Sequence, residues 1–456
     1  MAIFRARISR RRFLGRHLAL GVAGVANSGL PGGADGRPQI TRPAAPAKSV
    51  IVLLQEGGMS QLESWDPKPH APAEIRGSFS AIPTTLPAFH IGEHMPRLAR
   101  QTGLFNVVRS VYMDNIRRDH SPGLHWVLTG FDNQAAGVGL EKVNRFPSVG
   151  SVVAHQLGTT TPAGIPNFVA IPNAKQLGNR VRYTGPVHLG AACAAFDSGA
   201  IPTTAVGRYH IPAGLTLPVD VSTARLRGRR QLLSTFATSR AGSSQLTATD
   251  DFKAFREKSF ALLAGQRGQQ AFDLNREPRS VREMYGASAM GQGTLLARRL
   301  VEAGVTYVLV NYSKNNSWDT HTNNFAKLKD TLLPPMDQAA SALLVDLEQR
   351  GMLDEVLVLM MGEMGRTPTI NKESGRDHWP DVFSLMIAGG GLTRGQVLGS
   401  STGHSKTPRD RPVHYHELLA TLYYQLGIDP QQMIADGQDR PVRIMPEAEP
   451  VRELLA

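Results

Sequence analysis

Four loops that follow or precede apolar runs of the sequence contain acidic and histidine side chains. Six of these residues have the chemistry of metal ligands: Glu56, Asp319, His321, Glu363, Asp377 and His378. If the apolar runs are parallel strands, their carboxyl ends meet at one edge of a sheet, so we expect these side chains to converge. Carboxylates together with imidazoles bind divalent ions such as zinc, manganese or calcium. The pattern therefore predicts a site for one or two divalent ions.

The spacing of Asp319 and His321 supports this prediction, because residues two apart in extended backbone share one face. Each residue alone also has an ordinary structural explanation. A single Asp or Glu after a strand commonly caps a helix or forms a turn, and a single His is commonly a structural hydrogen-bonding group. The set as a whole therefore indicates function more strongly than any one member does.

A second segment with chemical potential runs from Asp119 to Gly130. Ser121 followed by Pro122 is typical of the first turn of a helix, and the free N–H groups of such a turn bind anions. Beside metal ions, the Ser121 hydroxyl or the His120 imidazole is a candidate catalytic group, acting as a nucleophile or orienting a water molecule. The alternative is that Ser121 caps a helix that serves only for packing.

Two arginines, Arg109 and Arg366, are candidates to hold the anionic part of a substrate. The forked guanidinium group matches the oxygens of phosphate and sulfate. Arg117 and Arg118 lie near the same segment, but solvation at the surface explains them better.

The elements that must position these residues alternate between strand and helix patterns. Helical patterns cover about 222–300, 325–350 (interrupted by Pro334-Pro335) and 416–426. Unbroken apolar strands separated by helices indicate an α/β fold: a doubly wound, mostly parallel sheet with helices on both faces. The predicted strands are Ser49–Leu54, Asn106–Val111, Asn167–Ile171, Val305–Val310, Val356–Met361 and Ser384–Ala388. We expect one domain over 48–440, with a helical insertion at about 222–300 and a C-terminal tail at 441–456.

The net charge of +12 has an uneven origin, and this removes the argument for a nucleic-acid partner. Of the 456 residues, the first 26 contain six arginines and no acid, so the other 430 carry only about +6 (+12 minus 6). The chain contains a single cysteine, Cys193, which excludes an internal disulfide framework and cysteine-rich metal sites.

The N-terminal arginines have the arrangement of an export signal. Arg10, Arg11 and Arg12 precede Phe-Leu and a short apolar stretch, which resembles a twin-arginine (Tat) signal over residues 1–26. The alternatives are an amphipathic N-terminal helix or a basic arm. Residues 27–47 are rich in Gly, Ala and Pro and are predicted to be a linker. These features predict that the Tat translocon exports the chain to the periplasm or beyond, and no apolar run is long enough for a transmembrane segment.

Several long motifs resemble the protein family called domain of unknown function 1501. These motifs are Gln55–Gln61, Trp65–Pro69, Trp318–Phe325, Gly362–Pro368, Gly375–Pro380 and Ala388–Gly391. The resemblance covers about residues 48–435. It implies membership of the alkaline phosphatase/sulfatase superfamily, and thus an alkaline phosphatase-like fold, usually with two metal ions, and a nucleophile at a helix N-terminus.

The resemblance also implies roles for individual residues. Glu56 lies where superfamily members have a metal-binding Asp, and Ser121 or His120 falls at the position of the nucleophile. Asp319 and His321 are similar to the Asp and His of the second metal site, although the usual spacing is wider.

Two further positions complete the comparison. Glu363 matches the Asp of an Asp-His pair, and His378 matches a later metal-binding His. Met364 occupies the position of the His in that pair, which implies that one metal site is depleted. The modification motif of formylglycine sulfatases is missing, so that class of sulfatase is not expected.

These observations predict an exported, metal-dependent hydrolase or transferase acting on phosphate or sulfate esters of small molecules or polysaccharides. The alternative is a binding or structural protein of the cell envelope that has kept the fold and lost the chemistry. Met364 and the narrow spacing of Asp319 and His321 favour that alternative.

Overall fold

A computed structural model provides the structure of the protein. It describes residues 47–114, 118–131, 145–174, 184–212, 215–217, 220–239, 256–257, 259–260, 263, 266–311 and 317–456. The predicted Tat signal and all but the last residue of the predicted linker lie outside the described residues.

A nine-stranded sheet forms the centre of the described part of the chain, with the order β12-β4-β11-β8-β1-β7-β5-β6 and with β15 also paired to β4. Its strands are β1 (Ser49–Leu54), β4 (Phe105–Tyr112), β5 (Phe168–Ile171), β6 (Phe196–Asp197), β7 (Tyr307–Asn311), β8 (Val356–Met361), β11 (Phe383–Ala388), β12 (Val397–Leu398) and β15 (Val413–His414). Two-stranded ribbons are formed by β2 (Ala81–Pro83) with β3 (His90–Gly92), β9 (Gly365–Arg366) with β10 (His378–Trp379), β13 (Ser400–Ser401) with β14 (Pro408–Asp410), and β16 (Met433–Ala435) with β17 (Pro441–Arg443).

Most of the sheet is parallel. β1 lies between β7 and β8 and runs parallel to both, with Leu54 opposite Asn311 on one side and Met361 on the other. The carboxyl ends of these three strands therefore meet at one edge. β11 is the exception, because it runs antiparallel to both β4 and β8.

Helices cover both faces of the sheet, which confirms the predicted α/β class. Alternate residues of β1 face opposite layers: Ile51 and Leu53 join one apolar cluster, and Val50 and Val52 join the other. The helices are α1 (Ala73–Arg76), α2 (Pro96–Ala99), α3 (His120–Thr129), α4 (Val149–Leu157), α5 (Thr223–Ser239), α6 (Gln266–Phe272), α7 (Arg279–Tyr285), α8 (Ala289–Glu302), α9 (Asn324–Lys327), α10 (Leu333–Gln349) and α11 (Tyr415–Gln425).

The long helical pattern predicted over 325–350 is divided in the structure. Helix α9 is followed by a π-helical turn, Leu328–Leu332, and then by α10, which places Pro334 and Pro335 in its first turn. Proline is tolerated there because the N–H groups of the first turn have no partner within the helix. Gly351 ends the segment with a positive φ of 66°.

The predicted helical insertion and the predicted C-terminal tail both contain buried apolar residues. Helix α8 lies within the predicted insertion, yet its Leu295, Leu296 and Leu300 are fully buried in the same cluster as the inner strands. Val451 and Leu454 of the predicted tail are also fully buried, against the other face. None of the described helices is long and apolar enough to cross a membrane.

Candidate metal centre

The loops after β1, β7 and β8 are tied together by backbone groups. The Trp318 amide donates to the Glu56 carbonyl at 3.1 Å. The Gly57 amide donates to both carboxylate oxygens of Glu363, at 2.9 and 3.0 Å. Because the three strands are adjacent and parallel, these contacts draw the three loops to one point.

Gly57 makes this close approach of the loops feasible. Its φ is +112°, and a Cβ at this position would lie 2.3 Å from the Asp319 amide nitrogen. No other residue type fits such a contact in this backbone conformation. The sequence Glu56-Gly57-Gly58 therefore provides both a carboxylate and the close packing that brings Asp319 beside β1.

A fourth segment reaches the same point through the ribbon formed by β9 and β10, in which His378 pairs with Arg366. Gly375 precedes β10, and a Cβ there would lie 1.8 Å from the His321 carbonyl oxygen. Arg376 forms a buried ion pair with Glu63 at 2.6 Å. This pair holds the segment that presents Asp377 and His378.

Asp319 is the centre of the resulting cluster. Its carboxylate lies 3.0 Å from His120 Nε2, 3.1 Å from His321 Nε2 and 3.4 Å from His378 Nε2. Arg366 Nη2 lies 2.6 Å from the same carboxylate. Burial disfavours the charged form of Asp319, but contacts with His120 and His378 and the charge of Arg366 outweigh it, so the pKa lies well below its usual value. Asp319 is therefore an anion at any physiological pH.

His120, in the first turn of α3, joins two carboxylates. Its Nδ1 lies 2.6 Å from Glu363 Oε1, and its Nε2 lies 3.0 Å from Asp319 Oδ2. Burial lowers the pKa of His120, but the two carboxylates outweigh it and raise the pKa to about 9. The ring is accordingly an imidazolium at neutral pH, with no lone pair to attack a substrate.

His321 and His378 each have a fixed acceptor for an Nδ1 proton, and the Nε2 atom of each also faces the Asp319 carboxylate. Nδ1 of His321 lies 2.6 Å from Asp377 Oδ1, and Nδ1 of His378 lies 2.8 Å from the Arg118 carbonyl oxygen. The hydrogen bond with His321 holds the pKa of Asp377 below its usual value, so Asp377 is ionised. Asp377 and the Arg118 carbonyl therefore both accept a hydrogen bond from an Nδ1–H group. In the neutral rings the lone pairs are then on Nε2, and these two atoms lie 3.0 Å apart.

The donor set fits a divalent cation. Two imidazole nitrogens and a carboxylate oxygen converge with separations of 3.0, 3.1 and 3.4 Å. Ligands about 2.0–2.1 Å from a tetrahedral zinc ion are separated by about 3.3 Å. His120, Asp319 and His378 also offer one ligand atom each within 4.8 Å of one another, and His120 would have to lose a ring proton to bind a metal ion. Three acceptors facing one another require a positive species between them, either a proton on one ring or a metal ion.

The cluster is buried on the side that faces the protein interior and exposed on the side that faces solvent. Glu363 and Arg366 are completely buried, whereas the side chains of His321 and Asp377 are 40% and 54% exposed. Solvent and a small substrate can therefore reach the histidine face of the cluster.

Arg366 is bound to the protein itself. Its guanidinium group donates to the carbonyl oxygens of Gly57, Gly58 and Arg376, in addition to its ion pair with Asp319. Burial lowers the pKa of Arg366, and the charge of Asp319 opposes that effect. These contacts indicate that Arg366 holds Asp319 in place. Its predicted role in binding an anion remains a prediction.

Three other predicted residues differ in their surroundings. The carboxylate of Glu56 is buried and accepts from Asn311 Nδ2 at 2.9 Å. Arg109 lies 3.5 Å from Asp66 and donates to the Gly399 carbonyl, rather than to the cluster. Ser121 follows His120 at the start of α3 and is half-buried. The roles of these residues remain predictions.

Sequence reasoning missed the groups that orient the ligands. The Gly57 amide, the Arg118 carbonyl and the Asn371 side chain, which donates to Asp377 at 3.1 Å, hold Glu363, His378 and Asp377 in place. Two of these groups belong to the backbone and have no residue-type signal. Asn371, in a polar loop six residues before Asp377, was the one detectable signal.

The fold and the cluster define an α/β protein with a histidine–carboxylate centre at the carboxyl edge of its sheet. The family described as "Protein of unknown function (DUF1501)" matches residues 47–455, and the chain belongs to this family. The match confirms the resemblance predicted from the motifs. No curated protein sequence matches the chain.

Among the solved structures similar to the chain are an alkaline phosphatase superfamily protein, an alkaline phosphatase and a sulfatase. An alkaline phosphatase superfamily protein from Vibrio parahaemolyticus is 11% identical, with 87% of this chain and 72% of that chain covered and a TM-score of 0.36. The alkaline phosphatase of the Antarctic bacterium TAB5 is 11% identical, with coverages of 84% and 99% and a TM-score of 0.35. A sulfatase from Pseudoalteromonas sp. is 11% identical, with coverages of 84% and 68% and a TM-score of 0.35. At these values the similarities do not define residue roles in this chain.

Proposed function

We propose that this protein is a divalent-metal-dependent hydrolase or transferase of phosphate or sulfate esters, exported by the Tat translocon to the periplasm or beyond. The observation that carries the proposal is the convergence of His321 Nε2, His378 Nε2 and Asp319 on one solvent-accessible point. A divalent ion bound there would supply Lewis-acid catalysis for ester cleavage.

The chain's own residues would prepare this point for an anionic ester. Asp377 and the Arg118 carbonyl fix the tautomers of His321 and His378, so that each ring presents a lone pair. Arg366 keeps Asp319 ionised and in place. His120 adds a positive charge beside the point at which a substrate oxygen would carry negative charge.

The nucleophile is best assigned to Ser121 or to a water molecule. His120 is held as an imidazolium between two carboxylates, so it is a poor nucleophile and a poor base. Ser121 lies at the N-terminus of α3, a helix of 10 residues whose free N–H groups favour an anion. Ser121 directly follows His120 in the chain, so its hydroxyl group lies next to a residue that carries a positive charge.

A non-catalytic binding protein is the second candidate. It is favoured by the engagement of both His120 nitrogens with Glu363 and Asp319, which leaves no lone pair on that ring to act as a base for Ser121. Such a protein would bind a metal ion and an anion without turnover.

Two measurements separate these candidates. Purified protein from cells grown with zinc, manganese and calcium is analysed for bound metal, and aryl phosphate and aryl sulfate esters are then tested as substrates. Metal together with ester turnover supports the hydrolase; Ser121→Ala then assigns the nucleophile, to Ser121 if turnover is abolished and to a water molecule if turnover remains. Metal without turnover of any ester supports the binding protein, and a metal-free protein after all three growths overturns both.

A further inference from the structure

A cavity of about 410 Å³ lies beside the candidate metal centre and shares Asp377 with it. Its lining includes the segment that connects β9 to β10, an indole ring and a lysine. The lining residues that matter here are Pro368, Ile370, Asp377, Trp379 and Lys406. A ligand in this cavity would touch the carboxylate that holds His321.

The polar groups of the connecting segment are already used. Thr367 Oγ1 accepts from the Asp377 amide at 2.9 Å and donates to the Thr369 carbonyl at 3.1 Å. Asn371 Nδ2 donates to the His321 carbonyl at 2.9 Å and to Asp377 Oδ1 at 3.1 Å. These bonds make the segment rigid, and they leave its apolar surfaces to meet a ligand.

The indole ring of Trp379 is fixed as well. Its N–H donates to the Lys406 carbonyl at 2.8 Å, and the guanidinium carbon of Arg118 lies 4.1 Å from the ring centre. A ring held at its edge and packed by a cation is a preorganised contact surface for a ligand.

Two charged groups remain available to a ligand. All described hydrogen bonds of the Asp377 side chain use Oδ1, which leaves Oδ2 as an acceptor. The Lys406 side chain is exposed and has no ion pair within the described part of the chain. The cavity thus combines an aromatic ring and two apolar side chains with a carboxylate oxygen and an ammonium group that have no partner among the described residues.

This combination matches a sugar ring. A pyranose has apolar C–H faces that pack on an indole or a proline, and hydroxyl groups around its edge that donate to a carboxylate and accept from an ammonium group. An acyl chain fits less well, because it would desolvate Asp377 and Lys406 without pairing them. We propose that this cavity binds the pyranose ring of a sugar ester whose ester group extends to the candidate metal centre. This inference rests on the proposed function.

Binding measurements on the full chain test the proposal. Glucose 6-phosphate and glucose 6-sulfate are compared with ethyl phosphate and ethyl sulfate, which carry the same ester groups without a ring. We expect the sugar esters to bind at least about tenfold more tightly. Ile370→Trp, which fills the cavity, and Lys406→Met should each remove most of that difference. Lys372→Met is the matched control, since Lys372 is an exposed lysine on the same segment outside the lining.

The outcomes distinguish this inference from the proposed function. Equal affinity for sugar and ethyl esters, or a preference for the sugar that survives both cavity variants, overturns the sugar site while any ester turnover stands. A sugar preference that both variants remove, in a protein that cleaves none of the four esters, supports the site and overturns catalysis. If Ile370→Trp fails to fold, Lys406→Met decides, because its exposed side chain contributes nothing to the core.

Discussion

The Nε2 atoms of His321 and His378 face each other at a distance of 3.0 Å, and each ring gives its Nδ1 proton to a fixed acceptor. Unless one ring keeps a proton on Nε2, the two lone pairs repel, and a metal ion between them would relieve that repulsion. We therefore expect His378→Ala and Asp319→Asn each to reduce zinc affinity by at least about tenfold. Isothermal titration of the metal-free protein measures this effect.

The control for that experiment is His90→Ala, which removes an exposed imidazole from β3. Its zinc affinity should equal that of the unmodified protein. Equal affinity in all three variants would show that zinc binds elsewhere.

Glu363 is expected to orient His120 rather than bind a metal ion. Both of its carboxylate oxygens accept from the Gly57 amide, and Oε1 also contacts His120. Glu363→Gln should therefore keep the bound metal and lower ester turnover by about 10- to 100-fold. Metal content and kcat are measured on the same preparation. Loss of the metal from this variant would instead make Glu363 a direct ligand, as the sequence prediction has it.

Arg366 is expected to stabilise the fold as well as the site. Lysine cannot reproduce its donation to three carbonyl groups and Asp319, so Arg366→Lys leaves buried acceptors unpaired. We expect a loss of about 3 kcal/mol in the free energy of unfolding. Denaturant titration measures it. Arg409→Lys, at an exposed ion pair, should change the same quantity by less than about 0.5 kcal/mol.

Gly57 should tolerate no side chain. Gly57→Ala places a Cβ 2.3 Å from the Asp319 amide at a φ of +112°, and relief of this clash must move Asp319. We expect a loss of at least about 2 kcal/mol in stability and the loss of metal binding. Gly403→Ala is the matched control, because a Cβ there meets nothing within 4 Å. Similar thermal unfolding of the two variants would contradict the packing described.

The low pKa of the half-buried His416 imidazole predicts that the protein loses stability in weak acid. Burial, and next the neighbouring His414, lower the pKa of His416 to about 4 from 6.5, and its Nε2 accepts from the Trp126 indole at 2.7 Å. Between these two values the unfolded chain binds the proton and the folded chain does not. Stability is therefore complete above pH 6.5 and falls as the pH approaches 4, by about 2 kcal/mol after allowance for partial exposure.

Unfolding midpoints in urea at pH 7.0 and 4.5 measure that effect. His416→Gln keeps an acceptor and lacks the titrating group, so its midpoints should differ less between the two pH values than those of the unmodified chain. An equal difference in the two proteins would assign the acid sensitivity to other groups.

The sequence predicted the strands well because unbroken apolar runs are typical of a buried parallel sheet. Val356–Met361 is reproduced residue for residue, and the strand predicted over Val305–Val310 is Tyr307–Asn311 in the structure. The antiparallel direction of β11 could not be predicted, because strand direction depends on how the chain returns to the sheet and leaves no periodic signal.

Part of the candidate site was also predictable. The expected convergence of strand ends brought Asp319, His321, Glu363 and His378 into one hypothesis, and these four residues do form a continuous set of contacts with His120. The state of each ring was not predictable, because it depends on backbone groups such as the Arg118 carbonyl.

The position of β1 has a consequence for biosynthesis. Among the described strands β1 comes first in the chain, yet its neighbours, β7 and β8, lie at 307–311 and 356–361. An emerging polypeptide therefore carries an apolar segment with two unpaired edges until residues 307–361 have been translated. The centre of the sheet can therefore form only after these later strands have been made.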